Sequence, residues 1–241
     1  MSLLPIILSS LCTGLGALPV LFIKNVSHKG KDVLLAYTAG IMVAASAYGL
    51  IPSAMKLSNL TVLVIGVLIG TLVLTALESL IPHTDLDNSE HPDDHSSIII
   101  LFLIAMSLHN LPEGLSVGIS NADSDQNLGL LVSFAIGLQN VPDGFLVALF
   151  LITQNVSRLK AILLAVFTGM IELFAGLIGV FFGESFAYII PYGLAFAAGS
   201  MLFVVYKELI PESHGDGHER ASTWAFIVGF LSMVILTEWF R

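Results

Sequence analysis

Eight apolar stretches follow one another along this chain, most of them joined by short connections. A helix needs about 20 such residues to cross the hydrocarbon core of a bilayer, and the stretches fall at about 3–23, 33–54, 60–81, 98–120, 128–152, 160–182, 185–210 and 221–240. Only 11% of the 241 residues are charged and 56% are hydrophobic, whereas a soluble domain carries about 25% charged residues. A water-soluble fold would lack the polar surface to cover itself. Because the apolar runs recur over the whole length, a cleaved signal peptide does not explain them. The expectation is one all-α integral membrane domain spanning residues 1–241, with eight transmembrane helices.

Charge decides orientation and removes some partners. The net charge of −9 sits mainly in the connections and argues against nucleic acid. Lys24, Lys29, Lys31, Arg158, Lys160 and Arg220 lie in the first, fifth and seventh connections, which share one face of an eight-span protein. The opposite face has Lys56 and Arg241, and Lys207 near the end of the seventh span would snorkel to the richer face. Lys and Arg accumulate on the cytoplasmic side, so both termini are expected outside the cytoplasm. The single cysteine, Cys12, excludes an internal disulfide and a thiolate zinc cluster.

Two near copies of one motif stand at mid-span. His109-Asn110-Leu111-Pro112-Glu113-Gly114 occupies the fourth stretch, and Gln139-Asn140-Val141-Pro142-Asp143-Gly144 the fifth. Consecutive spans run antiparallel, so equal motifs at equal depth imply a pseudo-two-fold axis in the membrane plane, a place where transporters put substrate sites. On a helix His109 and Glu113 share a face, one turn apart, as do Gln139 and Asp143. Pro112 and Pro142 free the carbonyls of Leu108 and Leu138, which lipid tolerates only beside protein or a wet cavity. Glu172 adds a carboxylate in the sixth span.

Ionisable groups at membrane depth are costly and usually functional. Glu113, Asp143 and Glu172 converge with no Lys or Arg at their depth in the fourth to sixth spans, and a bound divalent cation would supply the missing charge. One imidazole, several carboxylates and the carboxamides of Asn110, Gln139 and Asn140 form a mixed N/O set suited to first-row ions such as zinc, iron(II) and manganese. Cadmium tolerates the same shell. The number of ligands allows two ions.

At these residues the chain resembles the ZIP (Zrt/Irt-like) family of divalent metal transporters, and most closely its compact bacterial GufA-type branch. The motif His-Asn-x-Pro-Glu-Gly at 109–114 is specific to it, and the stretches Gly40 to Ser46, Ala198-Gly199 and Leu209 to Glu212 are similar as well. The resemblance implies zinc uptake across the plasma or inner membrane into the cytoplasm by alternating access. It also implies a first metal position at His109, Glu113, Gln139 and Asp143. A second would lie at Asn110, Glu113, Asn140, Asp143 and Glu172, with Glu113 and Asp143 bridging the two. The family usually has Glu where this chain has Asp143, and Asp or Asn where it has Asn140. The first change retracts a carboxylate, and Asn for Asp removes one charge.

The connection at 82–97 carries His83, Asp85, Asp87, Glu90, His91, Asp93, Asp94 and His95. These could collect a cation as it leaves, and a solvated acidic loop would look the same. Glu208, Glu212, His214, Asp216 and His218 form a similar, weaker group. Small residues throughout the spans suit either close internal packing or a homodimer interface. A metal-selective channel would use the same residues as a carrier. An intramembrane metalloenzyme is disfavoured, since the chain has no His-Glu-x-x-His segment and no serine or cysteine nucleophile beside His109.

Overall fold

Local caps decide where several helices begin and end. Ser27 Oγ accepts a hydrogen bond from the Gly30 amide at 3.1 Å, and Asn59 Oδ1 accepts one from the Val62 amide at 3.1 Å. Each satisfies a donor that has no partner in the first turn. The Ser27 cap starts its helix at His28, ahead of the apolar run that begins near residue 33. Ser27→Ala is expected to cost about 1 kcal/mol, which lowers the thermal unfolding midpoint by about 2–4 °C. Light-scattering or intrinsic-fluorescence melts of the purified protein check this. Further on, the Asn155 amide bonds to the Ile152 carbonyl at 3.0 Å and the Val156 amide to Leu151 at 3.0 Å. Asn155 takes φ 62° there, the left-handed residue of a helix-ending Schellman turn.

The computed structural model describes residues 3–22, 27–79, 95–122, 126–215 and 217–239. These form eight helices: α1 (Leu4–Leu21), α2 (His28–Leu57), α3 (Leu60–Ser79), α4 (His95–Ala122), α5 (Gln126–Thr153), α6 (Arg158–Ser185), α7 (Ile190–Glu212) and α8 (Glu219–Trp239). Six of them, α1, α2 and α5 to α8, are long and apolar enough to cross a membrane, and α3 holds a shorter apolar run, Leu60–Ala76. Helix α4 has 28 residues, a length of about 42 Å, and runs unbroken through Pro112. His95, expected in the connection, is its first residue. The connecting residues His83, Asp85, Asp87, Glu90, His91, Asp93 and Asp94 lie outside the described residues.

Both α2 and α7 change pitch. Residues Ala45–Leu50 and Val205–Leu209 form π turns, each followed by an Ile-Pro pair, Ile51-Pro52 and Ile210-Pro211. A proline ring inside an α-helix clashes with the carbonyl four residues earlier. The wider turn accommodates it without ending the helix.

Helix packing sorts the bundle into two sets. Helices α1, α4, α5 and α6 pack along one another, α4 on α6 and α1 on both α5 and α6; α2 lies along α8 and α3 along α7. At one end of the bundle the Arg158 guanidinium donates to the Leu21 carbonyl at 2.7 Å. There too Lys31 pairs with Glu212 at 2.7 Å, and His218 Nδ1 lies 3.0 Å from the buried Asp32 carboxylate. The first, fifth and seventh connections therefore share one end. On the outside, Leu159, Leu163, Phe167, Phe174 and Phe181 of α6 are exposed. An apolar stripe of that size is a liability in water and a normal face toward lipid.

Candidate metal centre

Four helices supply the site, and glycine lets them approach. A Cβ on Gly114 would overlap the Glu172 carbonyl oxygen, and one on Gly144 would overlap that of Thr13. Main chain thus meets main chain at the α4–α6 and α1–α5 seams, each beside a carboxylate of the motif. His109, Asn110, Glu113, Gln139, Asn140, Asp143 and Glu172 are all at most 5% exposed.

The structure brings His109, Glu113 and Asp143 together, with one candidate ligand atom from each lying within 4.8 Å of the others. His109 Nε2 lies 3.3 Å from Glu113 Oε1 and 3.9 Å from Asp143 Oδ2. A first-row ion about 2.1 Å from each donor holds tetrahedral donors about 3.4 Å apart, so the trio sits near the span of a single ion. The Gln139 amide nitrogen donates to Glu113 Oε1, which ties α5 to α4 at this level. No Lys or Arg is buried among the described residues.

Unpaired side-chain atoms cluster at the trio. Six of the seven side chains leave a buried atom without a hydrogen-bond partner: His109 Nε2, Asn110 Nδ2, Glu113 Oε2, Gln139 Oε1, Asn140 Oδ1 and Asp143 Oδ2. Each such group costs about 1–3 kcal/mol if left so. Five of the six are atoms that can present a lone pair, and lone pairs are what a cation needs.

Glu172 is the exception. Its Oε1 accepts from Ser9 Oγ at 2.8 Å, and its Oε2 accepts from Asn140 Nδ2 at 2.7 Å. It does not belong to the trio. Ser9 was absent from the sequence-based candidates. Its only signal there is the Ser9-Ser10 pair inside an apolar run, which reads equally as ordinary helix packing.

Comparison with known proteins shows the family. The sequence model of the ZIP zinc transporter family matches residues 75–237. "Zinc transporter GufA" of Myxococcus xanthus is 38% identical over 241 residues, covering 95% of this chain and 95% of that one. "Zinc transporter ZIPB" of Bordetella bronchiseptica is 35% identical and covers 93% of this chain and 76% of its own length. The human "Zinc transporter ZIP11" is 37% identical over 57% of this chain and 42% of its own length. Matched over more than half its length by the family and nearly end to end by the two bacterial relatives, this multi-pass helical chain belongs to the ZIP family of transporters, in its bacterial GufA-type branch.

Proposed function

We propose that the chain carries divalent first-row ions, zinc foremost, from outside the cell into the cytoplasm through one transmembrane domain spanning residues 1–241. The observation that carries this reading is the buried trio of His109, Glu113 and Asp143, with unpaired donor atoms and no buried Lys or Arg among the described residues to neutralise it. Gln139 Oε1, buried and unpaired one helical turn before Asp143, is a fourth candidate donor, and Asn110, Asn140 and Glu172 flank the trio on α4, α5 and α6. The zinc named for the relatives fits this mixed imidazole and carboxylate shell. A weak shell of this kind can also release its ion. The Lys and Arg bias puts both termini outside, the inward direction is what the resemblance to the family implies, and the plasma or inner membrane is the proposed location.

Alternating access is supported by matched contacts at a constant sequence offset. Gly40 of α2 meets the Phe226 carbonyl of α8, and Gly199 of α7 meets the Val67 carbonyl of α3. Gly229 meets Tyr37 and Gly70 meets Phe196 in the same relation. The Gly144–Thr13 and Gly114–Glu172 contacts are counterparts too, with Thr13 standing where the other half has Glu172. Ala39-Gly40-x-Met42 and Leu50-Ile51-Pro52 reappear as Ala198-Gly199-x-Met201 and Leu209-Ile210-Pro211. These pairs favour two inverted three-helix units, α1–α3 and α6–α8, around the α4–α5 pair, an arrangement that alternating access exploits.

The test is zinc entry into liposomes that hold a zinc-sensitive dye. Saturable entry well above protein-free liposomes is expected, with competition by iron(II), manganese or cadmium. Flux that rises linearly with zinc would replace the carrier with a channel. Signals equal to empty liposomes for zinc, iron(II) and manganese would sink the transport reading.

A further inference from the structure

We propose that Ser9 is a positioning residue which, with Asn140, holds the Glu172 carboxylate out of the metal-binding trio, so that the chain loads one divalent ion and not two. This rests on the reading of His109, Glu113 and Asp143 as ligands. Ser9 belongs to α1 and is 2% exposed. Its hydroxyl donates to Glu172 Oε1 at 2.8 Å. Asn140 Nδ2 donates to Glu172 Oε2 at 2.7 Å and to the Ser9 carbonyl at 2.9 Å, and lies 3.4 Å from Ser9 Oγ. Three helices thereby close one network, α1 through Ser9, α5 through Asn140 and α6 through Glu172.

Donor and acceptor chemistry gives the network its meaning. An asparagine binds a metal through Oδ1, while its Nδ2 carries only donors. Oxygen atoms of Glu172 and Ser9 surround Asn140 Nδ2, which fixes the orientation of the amide. Flipping it would set acceptor against acceptor. Both Glu172 oxygens are then engaged, whereas Glu113 Oε2 and Asp143 Oδ2 are not. An aspartate at position 140 would place a second carboxylate against Glu172, and like charges that close require a proton or a cation between them. Asn140 and Ser9 answer the same need with hydrogen bonds, and Glu172 has no call for an ion of its own.

The experiment is zinc titration of the purified full chain by calorimetry, with bound metal counted by mass spectrometry. Wild type is expected to bind one zinc per chain and Asn140→Asp two. Ser9→Ala frees Glu172 Oε1 and is expected to raise the count above one, whereas Ser9→Thr, which keeps the hydroxyl, is expected to hold it at one. A packing role for Ser9 would alter stability in these variants without altering the count. Two zinc ions in wild type would overturn the proposal, as would a count of one in folded Ser9→Ala or in Asn140→Asp. If Ser9→Ala does not fold, the wild-type count and the Asn140→Asp count decide between the same outcomes. Glu113→Gln separates the two readings: zinc binding that survives it refutes the trio itself, while binding lost with it leaves only the stoichiometry in question.

Discussion

Glu113→Gln is expected to abolish saturable zinc entry while the protein still purifies as a folded species. The substitution keeps the volume of the side chain and removes one negative charge from a fully buried position. Glu113 is the hinge of the trio: Oε1 lies 3.3 Å from His109 Nε2 and accepts from Gln139, while Oε2 is buried and unpaired. Losing a partner that merely orients a ligand costs roughly 10–100-fold in metal affinity, and losing the ligand should cost more. Initial rates of zinc entry over a range of concentrations, beside a melting curve of the same sample, separate a lost site from a lost fold. A folded variant that transports within roughly tenfold of wild type would remove Glu113 from the ligand set.

Gly144→Ala is expected to damage the fold itself, and the site with it. The added Cβ would overlap the Thr13 carbonyl oxygen, and on the same seam a Cβ at Gly16 would overlap that of Val141. Neither neighbour is a side chain that can rotate away, so α1 and α5 must separate. Overpacking costs about 1–3 kcal/mol when side chains can adjust. The upper end of that range lowers the unfolding midpoint of a chain this size by roughly 6–12 °C. Gly49→Ala is the matched control, since nothing lies within 4 Å of its added Cβ. Gly49 lines a small apolar void together with Leu131, Ile136 and Met233, and its substitution is expected to leave stability unchanged or raise it by up to about 1 kcal/mol. Equal melting temperatures for the two variants would refute the close α1–α5 seam.

Physical reasons separate what the sequence made legible from what it hid. Eight helices were readable because length and apolarity are local properties, and among the described residues six of them are long and apolar enough to cross a membrane. The approach of His109 to Glu113 was readable too, since four residues make one helical turn. Ser9 was not, because its role depends on Glu172 and Asn140, both far away in the chain, and a hydroxyl in an apolar run gives no sign of its partner. The start of α2 at His28 was missed because a cap, not hydropathy, sets it. The glycine seams show a third kind of blindness: small residues announce close packing without naming the partner, and Gly40, Gly70, Gly199 and Gly229 turn out to serve contacts within the chain. The repeated Leu-Ile-Pro at 50–52 and 209–211 was visible in the letters and became informative only once each copy was seen to close a π turn with its Leu and follow it with Ile-Pro.

Those π turns have a consequence for how α2 and α7 present themselves. Each takes up about one residue more than an α-helical turn of the same rise, so the side chains beyond it are rotated by about 100° from where an unbroken helix would put them. The stripe that α2 turns toward α8 before Ala45 is therefore not the stripe it carries after Leu50. One helix can face two different neighbours in succession, and the same holds for α7 on either side of Val205–Leu209. Deleting one residue within either turn would restore a regular helix and turn the wrong face inward over all that follows.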